Sequence, residues 1–148
     1  MHMAKEAKTI VPLFQLRGVE LHELSIFKPA QGSPPVVNFN FEVSVETNVD
    51  NNQKFVIAAT KVKIMADDKT TLMGSISCAC IFSVANFDEV ITMKDSQADL
   101  HEPFAETINS ISISTTRGVM FSELKGTILH YAFLPIIDIK SLSKARTQ

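Results

Sequence analysis

Cys78 and Cys80 carry the most reactive side chains in this chain, and they stand one residue apart. On a strand, alternate residues point the same way, so a disulfide between these two is strained. A C-x-C pair offers two thiolates to a metal, but zinc takes four ligands, and the four histidines, His2, His22, His101 and His130, are scattered. The pair therefore reads as small apolar residues on a buried strand face, reduced and structural. No metal and no cofactor are expected. His22 and His101 are each able to act as a base, yet neither has a visible partner. Glu20 and Glu23 sit in a strand-like stretch at a spacing that sends them to opposite faces unless a bulge intervenes, and acid–base work needs carboxylates that converge. Asp67-Asp68 reads as a solvated turn. Arg117-Gly118 and Lys125-Gly126 are lone dipeptides, and no nucleophile elbow, phosphate loop or H-E-x-x-H motif is present. The expectation is a protein that is not an enzyme and has no catalytic residues.

The element that places the cysteines is the stretch Thr70 to Phe87. Leu72, Ile76, Cys78, Cys80, Phe82 and Val84 share one side, and Met73, Ser75, Ser77, Ala79, Ile81 and Ser83 the other. This period of two predicts a strand on the order of 40 Å long with one apolar and one mixed face. Such a surface needs partners. Val37, Phe39, Phe41, Val43 and Val45 alternate with polar residues as a half-buried strand. A turn is expected over Asn48 to Gln53, then a strand over Lys54 to Ala66, then a hairpin turn at Asp67-Asp68-Lys69. Leu13 to Phe27 is strand-like with a slipping phase, which calls for bulges near Gly18 and near His22-Glu23, or for burial on opposite faces at a subunit interface.

After Phe87 the alternation ends, and Asp88 to Gln97 carries no clear pattern. Asp99, Glu102 and Pro103 predict a helix start, with Phe104, Ile108, Ile111 and Thr115 on one face and Gly118 as its stop. Val119 to Ile139 is apolar without a period, and Asp138 to Ala145 reads as a short terminal helix. Residues 1–12 read as a mobile lead-in and 13–148 as one domain. Net charge is −2 with no basic stripe, which disfavours nucleic acid. No apolar run is long enough to insert in a membrane. The first residues lack the apolar core of a signal peptide, so a cytoplasmic location is expected.

Four strands, a helix opening with Pro-aromatic-Ala, a long apolar segment and a terminal helix, in that order, resemble the SecB family of export chaperones. FQLRGVELHELSIFKPA (14–30) looks like the family's first strand, and CIFSVANF (80–87) is similar to the end of its fourth. PFAETINSIS (103–112), followed by FLPIIDIKSL (133–142), looks like the main helix and the Leu-Pro entry to the last one. Glu106 stands where the family commonly has arginine. The segment from Gly118 to Pro135 is longer than usual, and the tail is basic.

The resemblance implies an α+β fold, with a four-stranded antiparallel sheet carrying a long helix and a short C-terminal helix on one face. It implies a holdase for unfolded or precursor polypeptides that assembles as a homotetramer, a dimer of dimers. Clients would be held by Phe121, Leu124, Ile128, Tyr131, Phe133, Leu134 and Ile136. Phe104, Ile108 and Ile111 would pack helix to helix between subunits. Glu20 and Glu23 would face the translocation ATPase SecA, although Phe27 and Ser75 occupy positions where the family commonly has acids. A chaperone of a toxin–antitoxin system, with an antitoxin as partner, is the first alternative. A small-molecule-binding or enzymatic dimer on a curved sheet, with His22 or His101 as base, is the second, and a purely structural assembly protein the third.

Overall fold

The computed structural model describes residues 10–36, 38–95 and 97–140. Four long strands, β1 (Phe14–Ile26), β2 (Asn40–Asp50), β3 (Phe55–Met65) and β4 (Leu72–Val84), form one antiparallel sheet in the order β1-β4-β3-β2. The long alternating strand is thus central, paired with β1 on one side and β3 on the other. Its even-numbered residues from Ile76 to Val84 are buried, and so are the even-numbered residues of β3 from Val56 to Ile64. That shared parity makes one face of the sheet the floor of the core.

β1 resolves its slipping phase with the two expected bulges. Its register on β4 jumps between Leu16 and Gly18 and again between Leu21 and Glu23, so Arg17 and His22 are the extra residues. The result sets Leu16, Val19, Leu21 and Leu24 opposite Phe82, Cys80, Cys78 and Ile76, all on the core-side face. β2 runs further than the sequence pattern predicts. Val49 pairs with Val56, and the turn over 51–54 is set by Asp50, whose carboxylate accepts the N–H groups of Asn52 (3.0 Å) and Gln53 (3.1 Å). Val37 lies outside the described residues. At the tight turn into β4, Asp68 accepts the N–H groups of Thr70 and Thr71 and the hydroxyl of Thr71.

Asp88 to Leu100 has regular structure that the sequence pattern did not disclose. A short helix α1 (Phe87–Val90) leads into a two-stranded hairpin, β5 (Ile91–Lys94) and β6 (Gln97–Leu100). The long helix, α2 (Glu102–Glu123), then lies across β3 and β4. Two expectations about it are corrected. Its N-cap is His101, because Asp99 is engaged in β6. It also passes through Gly118, which faces open space and costs a helix only about 1 kcal/mol there. Two hydroxyls on its buried side are turned back on the helix itself: Ser112 donates to the Ile108 carbonyl and Thr116 to that of Ser112. The buried residues of α2 are Phe104, Ile108, Asn109, Ser112, Ile113, Thr116 and Met120, with Ile111 and Thr115 only half-buried at their flank.

Residues 124–138 return as turns and extended chain. Thr127 caps the helix end by donating to the Leu124 carbonyl (2.7 Å), and Gly126, at φ 79°, donates its N–H to His130 Nδ1 (2.9 Å). Of the expected terminal helix, residues 138–140 are described, and 139 and 140 are helical. At the other end, the lead-in is not free over its last residues. Asn86 accepts the Leu13 N–H at 2.8 Å and donates to the Val11 carbonyl at 2.9 Å, as a paired strand would.

Candidate functional site

The groups first considered for chemistry do not converge. Cys78 and Cys80 are free and buried. Burial pushes the Cys78 thiol up, against a hydrogen bond with Thr116. Among the described residues no three of His, Cys, Asp and Glu lie together as a metal would need. The bulge at His22 does bring Glu20 and Glu23 to one face, opposite Ala79 and Ser77. Each then has its own partner. Glu20 meets His22 Nε2 at 2.9 Å, while Glu23 accepts from the Ser75 hydroxyl and lies 3.8 Å from Lys61 Nζ. His101 is exposed at the start of α2.

The strongest feature is at the other end of α2. Tyr131 and Phe133 flank Ala132, and the turn they close buries the alanine and leaves both rings outside. Tyr131 is 75% exposed and Phe133 53%. Phe121, on the last turn of α2, stacks on Phe133 with ring centroids 6.2 Å apart, and Tyr131 stands edge-on to Phe133 at 6.4 Å. His130 meets the Tyr131 ring at 4.8 Å. Exposed Ile128 and Ile136 extend the patch along the chain. Aromatic pairing of this kind usually belongs to a core or to a binding surface, and here it faces outward.

Five of the seven residues expected to hold a client are therefore exposed: Phe121, Ile128, Tyr131, Phe133 and Ile136. The other two are corrected. Leu124 and Leu134 are 2% and 4% exposed, and with Leu129 and Ala132 they fasten the segment to the core. Phe104 and Ile108 are corrected in the same way. Both are fully packed within their own chain, Phe104 against Phe14 at 5.2 Å, so neither is open to a second subunit. Ile111 alone of that set keeps an open flank.

Two further surfaces lie outside the site residues expected from the sequence. Leu16, Val19 and Leu21 stand on the core-side face of β1, an outer strand, yet each is more than 40% exposed (43%, 43% and 44%) because α2 covers β3 and β4 instead. The signal for them was the phase slip itself. The outward face of α2, Thr107, Ser110, Ser114, Gly118 and Ser122, carries no charge, and Arg117 is the one charged residue between Thr107 and Ser122. A solvent-facing helix side is normally rich in charge.

A sheet ordered β1-β4-β3-β2 with a long helix across it defines the SecB-like fold. Compared by sequence, the chain matches no family model and no curated protein. Compared by structure, it is similar to a SecB-like chaperone of Mycobacterium tuberculosis in complex with a ChAD peptide from an antitoxin, at 13% identity. That match covers 85% of this chain and 86% of the other, with a TM-score of 0.51. A protein of unknown function from Streptococcus agalactiae aligns over 87% of this chain and 100% of its own at 12% identity, but its TM-score of 0.33 carries no argument. At these identities the likeness establishes the fold.

Proposed function

We propose that this chain is a non-enzymatic chaperone that holds unfolded polypeptide segments on the aromatic surface of Phe121, Tyr131 and Phe133. One observation carries the reading: the segment buries Ala132 and exposes the larger rings on either side. Core packing alone selects the opposite arrangement, since burying a large ring gains more than burying a methyl group. An exposed apolar cluster braced by its own ring contacts marks a place where another chain docks. The SecB-like fold supports the same reading, and a neighbour with that fold holds an antitoxin peptide. An antitoxin segment is accordingly a fitting client class, beside precursor polypeptides for export. A SecA-type partner has less to support it. Glu20 and Glu23, the acids expected to face it, are already engaged by His22, Lys61 and Ser75.

The working form in this reading is a cytoplasmic homotetramer, a dimer of dimers. Leu16, Val19 and Leu21 on the outer strand supply one isologous contact, and the uncharged face of α2 around Ile111, Ser114 and Gly118 supplies the second. Small residues on that face let two helices approach closely. The test is capture of a reduced, alkylated and permanently unfolded protein. A Tyr131→Ser/Phe133→Ser double variant should suppress its aggregation poorly while keeping the native mass and melting temperature. Undiminished suppression by that variant excludes this surface as the client site.

A further inference from the structure

Tyr131 and Phe133 sit on a segment with no regular secondary structure, so something must fix their positions relative to Phe121 on α2. The buried side chains of Leu129, Ala132 and Leu134 hold the segment down, but apolar contacts are non-directional and tolerate sliding. Backbone bonds from the Ala132 N–H to the Leu129 carbonyl and from the Phe133 N–H to the Tyr131 carbonyl (3.0 Å each) fold the segment locally, and the directional contact that ties it to α2 comes from Arg117. Its Nε donates to the Leu134 carbonyl at 2.9 Å and its Nη2 to the Pro135 carbonyl at 2.8 Å. Pro135 has no N–H and narrows the backbone freedom of Leu134 before it, and two successive carbonyls accept from one planar guanidinium. Arg117 also precedes Phe121 by four residues on α2, which places both on the same side of the helix. Phe121 then stacks on Phe133, the residue next to the clasped pair.

We propose that Arg117 is the positioning residue of the client-binding surface. By clasping the carbonyls of Leu134 and Pro135 it sets where Phe133 and Tyr131 stand relative to Phe121, so that the three rings form one face. This rests on the client-binding reading above and adds to it the group that assembles the site. Arg117 does not touch the client; it acts through the backbone. Lysine in its place has one compact head and cannot span both carbonyls in the same plane.

The chain has one tyrosine and no tryptophan, so tyrosine spectroscopy reports Tyr131 alone. Near-ultraviolet circular dichroism, native mass, melting temperature and affinity for a labelled, reduced and alkylated unfolded protein are measured on the full chain. The variants are Arg117→Met, Arg117→Lys and the Tyr131→Ser/Phe133→Ser pair. Arg117→Met should lose most of the Tyr131 dichroism and bind the unfolded protein about tenfold more weakly, the scale of charge-assisted bonds left unmade. Mass and melting temperature should stay close to those of the parent, because the buried anchors remain. Arg117→Lys should fall between the two in both signals, and it decides the matter if Arg117→Met does not fold. Parental dichroism and affinity in Arg117→Lys or Arg117→Met, beside lost capture in the double variant, overturn the positioning role and leave the surface itself standing. Parental capture by the double variant overturns both.

Discussion

Single positions show where this fold tolerates no change. Gly74 on β4 has no room for a side chain: a Cβ there would come within 2.6 Å of Leu129 Cδ1 and 2.8 Å of the Ser25 carbonyl oxygen. The leucine end can rotate away, but the β1 backbone cannot. Gly74→Ala should therefore destabilise the protein by about 2 kcal/mol through overpacking, read as a lower urea midpoint with an unchanged slope. Asp68 makes a different prediction. Its hydrogen bonds from Thr71 and Thr70 hold its carboxyl well below the usual carboxylate range in the folded chain. A depressed folded value means that the contribution is complete above the ordinary carboxylate range and drains away as pH falls beneath it. Asp68→Asn should melt lower than the parent near neutral pH, and the gap should close on acidification. A gap that persists unchanged in acid assigns the difference to something other than charge. Residue identity also explains a limit of the sequence reading: nothing in the letters of 131–134 says that Ala132 turns inward and the rings outward. That choice is made by the clasp and the buried leucines around it.

Elements built on a period of two were legible, and those shaped by packing were not. The bulges in β1 could be placed near Gly18 and His22 because a phase slip has few physical remedies. The hairpin of β5 and β6 left no such trace, since four-residue strands are too short to establish a period. The helix was found but misread in detail. The expected face ran through Ile111 and Thr115, yet Ser112 and Thr116 are the buried residues, with their protons given to the helix's own carbonyls. This shifts the buried stripe and changes what one substitution does. Ile108 is fully buried, so Ile108→Asp should cost about 4 kcal/mol and unfold the chain instead of splitting an assembly. Ser114→Asp, on the uncharged outward face, should leave the fold intact and affect only association. Equilibrium unfolding read beside native mass separates the two outcomes, and a stable, folded Ile108→Asp chain contradicts the burial of Ile108.

For the whole molecule, the question is what covers β1. Sheets protect their outer strands with charge, bulges or a neighbouring element. β1 has the bulges, and they distort its ladder, but the first of them brings Leu16 into one row with Val19 and Leu21, and the second adds Leu24. A strand that uses its first bulge to align Leu16 with Val19 and Leu21, and then leaves them 43%, 43% and 44% exposed, offers an apolar row to a partner. A second copy is the economical choice, because an antiparallel two-fold arrangement sets the same row against itself. The aromatic surface lies beyond the far end of α2 and needs no residue from β1, so association and client capture should be separable. Val19→Asp with Leu21→Asp should lower the native mass to that of a smaller species while far-ultraviolet dichroism is kept. Each charge would otherwise be buried against its symmetry mate. The near-ultraviolet signal of Tyr131 should be unchanged in the dissociated form. Affinity for a short unfolded peptide should also hold, while affinity for a long unfolded chain falls, since a long chain engages several copies of the surface at once and loses that effective concentration when they part. Equal loss for short and long clients would mean that β1 itself belongs to the client surface.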